Sequence, residues 1–159
     1  MTRRVGIALA AAALLLAAVS GTSSAASPSP VARLHQAEAQ LRQLDRQSNT
    51  APPSTPGELQ AAVASWRATA KGYGRLGTVA ANGERTSPAS ARRVRAAWGA
   101  LRDLAGWRVR QLTYSADLFS GYLHGGLMTD GAKEGIARMS TVELGLRAKL
   151  RVALARIAA

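Results

Sequence analysis

The chain has 159 residues, a net charge of +12 and no cysteine. A chain of this size folds as one domain and buries a core without covalent staples, and the lack of cysteine excludes disulfides and the lipoprotein route. The positive charge is spread along the chain rather than gathered in one block, which argues against a nucleic-acid-binding tail.

The first 26 residues predict a secretory signal peptide. Two arginines precede an apolar stretch at 5–19, and the small residues at 20–26 suit cleavage after Ala26, with Ala25 as the alternative. The apolar stretch is shorter than the roughly 20 residues that span a bilayer, so an uncleaved anchor is the less favoured interpretation. Cleavage removes the two arginines, which lowers the net charge from +12 to +10.

A short extended leader is predicted at 27–30, followed by a single helical domain at 31–159. The first helix is predicted over 31–48, because apolar residues recur there at spacings of three and four. This stripe consists of Leu34, Ala37, Leu41 and Leu44.

The second helix has a clear start signal. Thr55, Pro56 and Glu58 match an N-cap, a first-turn proline and the partner residue of a capping box. Glycines weaken the far end of this helix, and Asn82 and Gly83 are predicted to stop it.

The third helix is predicted from the Ser87 and Pro88 start signal to about Leu123. The two glycines after His124 indicate a turn that needs a positive φ. One broad face of this helix is apolar, and its opposite side carries further apolar residues that are candidates for a partner-binding surface. These candidates are Trp107, Tyr114 and Leu118.

A fourth helix is predicted from Thr129 or Asp130 to near the carboxyl terminus. Three glycines soften its first half, so two helices in tandem remain an alternative. The predicted fold is therefore all-α, an up-down antiparallel helical bundle of about four helices after the signal peptide.

The start of the third helix is a candidate anion-binding site. Free backbone N–H groups and the positive end of the helix dipole favour an anion there, and serines and arginines surround this start. A solvated basic corner is the default interpretation, and a phosphate or carboxylate contact is the alternative. The site candidates are Arg85, Ser87, Ser90, Arg92, Arg93 and Arg95.

A secondary basic ridge lies along the second helix, at a spacing of four residues. It consists of Arg67, Lys71 and Arg75. A solvated face is the default interpretation of such a ridge, and a salt-sensitive polyanion contact is the alternative.

Two charged residues fall within the predicted apolar stripes. A buried charge is costly without a partner, so we expect Arg108 either to pair with Glu143 across the bundle or to reach the surface. Glu143 has a third option in Arg147, its neighbour one turn along the helix. A polar pocket in the core is the functional alternative.

Catalytic and metal chemistry find little support in the sequence. The chain has two histidines, and neither lies in a zinc-binding spacing, so no metal and no cofactor is predicted. Asp117 and His124 share a helical face seven residues apart, which would let the carboxylate orient a general base. No nucleophile accompanies them.

These features lead to a first functional hypothesis. We expect a small exported, envelope-associated cationic protein that is not an enzyme and binds a protein partner or an anionic cell-envelope component such as a polymer or a lipid surface. The alternatives are a structural or accessory homo-oligomer without a ligand site, and an enzyme that uses Asp117 and His124. Sequence-specific nucleic-acid binding is not expected, because aromatic residues do not interleave with the basic ridge.

Overall fold

A computed structural model describes residues 28–49 and 52–158 as four α-helices, with no strand in those ranges. These four helices confirm the prediction of an all-helical fold with about four helices. The signal peptide prediction falls on residues that lie outside the described ranges. The helices are α1 (Pro30–Ser48), α2 (Pro56–Thr86), α3 (Arg92–Leu123) and α4 (Asp130–Ala158).

Side-chain caps start the first two helices. The Ser29 hydroxyl accepts a hydrogen bond from the Ala32 amide, so α1 begins at Pro30, inside the predicted leader. At α2, the Thr55 hydroxyl accepts from the Glu58 amide at 3.2 Å, and the Glu58 carboxylate accepts from the Thr55 amide at 3.2 Å. This reciprocal capping box satisfies two backbone donors that the helix itself leaves without a partner.

The predicted stop of α2 at Asn82 and Gly83 is wrong, because the helix continues through both residues to Thr86. Gly83 is buried under the ring of Trp98, and a Cβ atom at this position would lie 2.5 Å from the Trp98 Cδ2 atom. The glycine therefore permits a close approach of α2 and α3, and its tight packing outweighs its poor helix propensity.

The predicted start of α3 at Ser87 is also wrong. Ser87 is the C-cap of α2, and α3 begins at Arg92 after a turn, with Ala91 as an N-cap that makes no side-chain hydrogen bond. The far end matches the prediction, since α3 stops at Leu123 and Gly125 has a φ of 89°. The amides of the two glycines bond back to carbonyls of the last turn, as in a Schellman motif.

Helix α4 is continuous from Asp130 to Ala158, so the tandem-helix alternative is wrong. One of its softening glycines, Gly135, lies against the Tyr114 hydroxyl, which is 2.9 Å from the place a Cβ atom would take. Packing against α3 accounts for a glycine that the helix propensity alone would disfavour.

The helices run antiparallel to their neighbours. The late α2 residue Glu84 pairs with Arg102 early in α3, and Asp103 early in α3 pairs with Lys149 late in α4. Helices α2 and α3 form the main interface, and α1 packs on both. The backbone of α4 lies close to that of α3 among the described helices, while the Arg147 side chain of α4 also reaches Asp45 of α1. The largest fully buried side chains are Trp98, Tyr73, Leu34, Leu76, Leu101 and Leu104.

The packing leaves α4 as the most peripheral helix, with Ala132 and Leu150 as its buried residues. Three large apolar side chains of this helix are exposed: Val142, Leu144 and Val152. Across residues 28–49 and 52–158, no helix has both the length and the apolar character needed to cross a membrane.

Candidate functional site

A groove of about 540 Å³ lies between the first turns of α3 and the last turns of α4. Its floor is apolar and built from small side chains, since α4 contacts α3 along one stripe and leaves the flank beside that stripe open. We call this feature, with the basic residues around it, the cationic groove. The floor residues are Ala96, Ala100, Ala148, Val152 and Ala153.

Four basic residues surround this floor: Arg92, Arg93, Lys149 and Arg156. Two of them have structural tasks as well. The Arg93 guanidinium donates to the Arg156 backbone carbonyl at 2.9 Å, which ties the start of α3 to the end of α4. Lys149 forms a 2.9 Å ion pair with Asp103. This pair lies at the end of the groove farther from the start of α3, which we call the inner end; the end at the start of α3 is the outer end.

The Lys149 ion pair keeps Asp103 charged. Burial alone would raise the pKa of Asp103, but hydrogen bonds from Lys149 and Arg102 outweigh burial and hold its pKa below the ordinary value. One carboxylate therefore compensates the cations at the inner end of the groove.

The outer end of the groove is strongly positive. It coincides with the start of α3, where the first turn contains no acidic residue and the N-cap makes no side-chain hydrogen bond. The positive end of the α3 dipole lies here beside the negative end of the α4 dipole, so the excess positive charge that favours an anion comes from Arg92, Arg93 and Arg156.

The six residues of the predicted anion site separate in the structure. Arg92 and Arg93 lie in the cationic groove. Ser87 is buried, and its hydroxyl donates to the Gly83 carbonyl at 2.7 Å, so it cannot serve an external anion. Arg85 donates to the Asn82 side chain at 2.8 Å. The remaining two are exposed and do not line the groove: Ser90 and Arg95.

The secondary basic ridge on α2 is exposed along its whole length. Arg67 forms a 3.2 Å ion pair with Asp117 on α3, while Lys71 and Arg75 follow along the same helix face. Arg67 also lines a groove of about 490 Å³, whose described lining mixes polar and apolar residues and contains no other arginine or lysine, whereas three arginines and one lysine surround the apolar floor of the cationic groove.

Asp117 and His124 do not meet. The Asp117 carboxylate accepts from Arg67, and the His124 Nδ1 atom lies 2.6 Å from the Ser120 carbonyl, an interaction in which the ring nitrogen donates. His124 thus bonds to the last turn of its own helix, where carbonyl groups lack helical partners. The orienting contact that general-base catalysis needs is not formed.

The apolar side of α3 that was predicted to bind a partner receives α4. The Trp107 Nε1 atom donates to the Met139 carbonyl at 3.2 Å, and the Tyr114 hydroxyl lies against Gly135. Leu118, on the same side, is half-buried.

Arg108 and Glu143 form an ion pair of 3.0 Å in which both side chains are largely buried. Glu143 also accepts from Arg147 at 2.7 Å, so two of the alternatives from the sequence coexist. All four helices contribute to this assembly, which we call the polar cluster. Its members are Asp45, Ser48, Tyr73, Arg108, Gln111, Glu143 and Arg147.

The electrostatics of the polar cluster keep its ion pairs charged. Burial alone would raise the pKa of Asp45, but hydrogen bonds from Arg147 and Tyr73 outweigh burial and hold its pKa below the ordinary value. Hydrogen bonding to Asp45 in turn raises the pKa of Arg147. Burial and the bond to Asp45 raise the pKa of Tyr73. The cluster is therefore an internal hydrogen-bonded network of ion pairs, in which the buried Nε atom of Arg108 has no hydrogen-bond partner among the described residues.

Sequence reasoning missed Lys149 and Arg156 in the groove and Asp45 in the polar cluster. Lys149 and Arg156 lie seven residues apart on one face of α4, with Val152 between them. This amphipathic pattern could have indicated a basic face with an apolar centre. Asp45 directly follows the buried Leu44 and is four residues after the buried Leu41, so its place beside the stripe was also readable.

No protein-family model, curated protein or solved structure matches this chain. Within the described residues, no group of three or more histidine, aspartate or glutamate side chains is placed to hold a metal ion.

Proposed function

We propose that this protein is a non-catalytic binding protein, exported to the cell envelope, that holds an anionic envelope component in the cationic groove. The observation that carries the proposal is the placement of Arg92, Arg93, Lys149 and Arg156 around one apolar floor. Export is supported by the N-terminal pattern of two arginines, an apolar stretch and small residues.

The charge arrangement favours this function over a solubilising one. Charges that only keep a protein soluble are mixed in sign and dispersed, whereas three arginines gather at the outer end of the groove, where the first turn of α3 offers no acid. The net charge of +12, or +10 after removal of the two arginines with the signal peptide, adds a long-range field that attracts anions.

An anionic lipid molecule from an envelope surface is the occupant that this chemistry favours over a protein partner. Arginine forks match phosphate oxygens in pairs, and an apolar floor beside them suits a molecule with both a charged and an apolar part. The enzyme alternative lacks its central contact, since Asp117 pairs with Arg67 and His124 bonds to its own helix.

Co-sedimentation with lipid vesicles tests the proposal. The purified chain is mixed with vesicles of phosphatidylcholine alone or of phosphatidylcholine with phosphatidylglycerol, at low and at physiological salt. We expect binding to the anionic vesicles that weakens as the Debye length falls from about 30 Å at 0.01 M salt to about 8 Å at 0.15 M. Equal binding to both kinds of vesicle, or binding that salt does not change, would contradict the proposal.

A further inference from the structure

The cationic groove has the form of a site for one amphiphilic molecule rather than for a flat charged surface. It combines an apolar floor with four basic side chains around it, and small-molecule sites combine an apolar lining with a few polar groups in this way. A surface that only binds polyanions needs basic side chains, and it has no use for a long apolar floor. The floor therefore points to an apolar portion of the ligand.

The groove is also polarised along its length. Its outer end holds Arg92, Arg93 and Arg156, and its inner end holds Lys149, whose charge Asp103 compensates at 2.9 Å. The excess positive charge thus lies at one end. A ligand with a single anionic end would place that end at the outer end of the groove, beside the three arginines.

The floor between the two ends is made of short apolar side chains. Ala96 and Ala100 of α3 face Ala148, Val152 and Ala153 of α4. Alanine at four of these five positions leaves a channel where larger side chains would close the gap between the helices. The run from Arg92 to Ala100 extends about 12 Å along the helix axis, at 1.5 Å per residue.

We infer that the groove binds a single-chain amphiphile with a phosphate monoester head, the head lying between Arg92 and Arg156 and the acyl chain lying on the alanine-rich floor. This inference rests on the proposed function and names the ligand class of the same site. Phosphate is chosen over carboxylate because its three oxygens engage several arginine donors at once, and the outer end offers three arginines.

Titration calorimetry with three soluble probes tests the inference. The probes are decyl phosphate below its micelle concentration, decanoate and inorganic phosphate. Decyl phosphate should bind at least about tenfold more tightly than inorganic phosphate, because burying each methylene adds affinity. It should also bind more tightly than decanoate, because a carboxylate offers fewer oxygens to the arginines.

Two matched variants separate the floor from general charge. Val152→Glu places a carboxylate on the floor, whereas Val142→Glu makes the same change on the same helix, at a comparably exposed position outside the groove. Val152→Glu should weaken decyl phosphate binding at least about tenfold, and Val142→Glu less than about twofold. If Val152→Glu fails to fold, Ala148→Glu at an exposed floor position takes its place.

The outcomes separate this inference from the proposed function. If decyl phosphate binds no more tightly than inorganic phosphate, or if both valine variants lose binding equally, the acyl-chain assignment is overturned. If decanoate binds as tightly as decyl phosphate, the phosphate head is overturned. Salt-sensitive binding to anionic vesicles would in each case leave the proposed function standing, and only the loss of vesicle binding would remove both.

Discussion

Arg147 of α4 holds Asp45 of α1 through two parallel hydrogen bonds of 2.8 and 2.7 Å, although 102 positions separate the two residues. Among the described residues, no Cα atom of α1 lies within 8 Å of one of α4. The fork of the guanidinium on the carboxylate therefore spans the gap between the two peripheral helices. Such paired, charge-assisted bonds fix geometry as well as adding stability.

The Arg108 and Glu143 pair is expected to carry a large share of the stability of the α3 and α4 contact. Glu143→Leu leaves a nearly buried guanidinium without its main carboxylate and should cost about 2–4 kcal/mol of unfolding free energy, measured by urea denaturation. Adding Arg108→Met should restore part of the loss, because it removes the stranded charge together with a buried Nε that has no hydrogen-bond partner in the described residues.

The matched control for this prediction is Glu134→Leu on the same helix. Glu134 pairs with Arg138, but both side chains are mostly exposed, so the change should stay within about 0.5 kcal/mol. A loss at Glu134 as large as that at Glu143 would show that burial of the ion pair is not the cause.

Asp45 should give the fold a specific acid sensitivity. Its pKa in the folded chain is lowered from the ordinary 3.8, so the folded state binds this proton more weakly than the unfolded state does. The resulting stabilisation is complete above the unfolded pKa and is lost as the pH falls through the lower folded pKa. Asp45→Asn should therefore destabilise the chain near neutral pH and approach the wild type as the pH falls below 3.8 and through the lowered folded pKa of Asp45.

Urea denaturation across pH measures this difference, with Asp130→Asn as the control. The Asp130 side chain is 91% exposed and pairs with Lys133 on its own helix, so its replacement should shift the whole curve little. A gap between the wild type and Asp45→Asn that stays constant from neutral to acid pH would refute the assignment.

Gly83 and Gly106 should respond to alanine in opposite directions. A Cβ atom at Gly83 would collide with the buried Trp98 ring, so Gly83→Ala should cost about 1–3 kcal/mol. Gly106 lies inside α3 with open space around it, so Gly106→Ala should stabilise by about 0.5–1 kcal/mol through helix propensity. Thermal unfolding followed by circular dichroism measures the stability of both variants. Equal changes in stability for Gly83→Ala and Gly106→Ala would mean that packing on Trp98 is not the reason for the glycine at position 83.

Local signals in the sequence predict the helices well where caps and stripes are present. The capping box at Thr55 and Glu58, and the stop after Leu123, lie where the pattern places them. The error at Gly83 has a different cause, because the requirement for glycine comes from a ring on another helix. Propensity at one position cannot report a contact with a residue 15 positions away, such as Trp98.

Only two of the four basic residues around the cationic groove could be predicted from the sequence. Arg92 and Arg93 are visible as arginines beside a helix start, but Lys149 and Arg156 join them only because α4 runs antiparallel along α3. Ser87 appeared to be a cap of α3, whereas it ends α2 and is buried. Which basic residues gather around one apolar floor depends on helix pairing, and a single sequence does not specify that pairing.

The most direct test of the account compares two double charge reversals on anionic vesicles. Arg92→Glu with Arg156→Glu changes the outer end of the groove and leaves the Arg93 bond to the Arg156 backbone in place. Lys71→Glu with Arg75→Glu makes the same change in net charge on the exposed ridge of α2. With both variants folded by circular dichroism, the account predicts that the groove variant loses vesicle binding at least about tenfold while the ridge variant stays within about threefold. Equal losses in the two variants would contradict it, because binding would then follow net charge and not the groove.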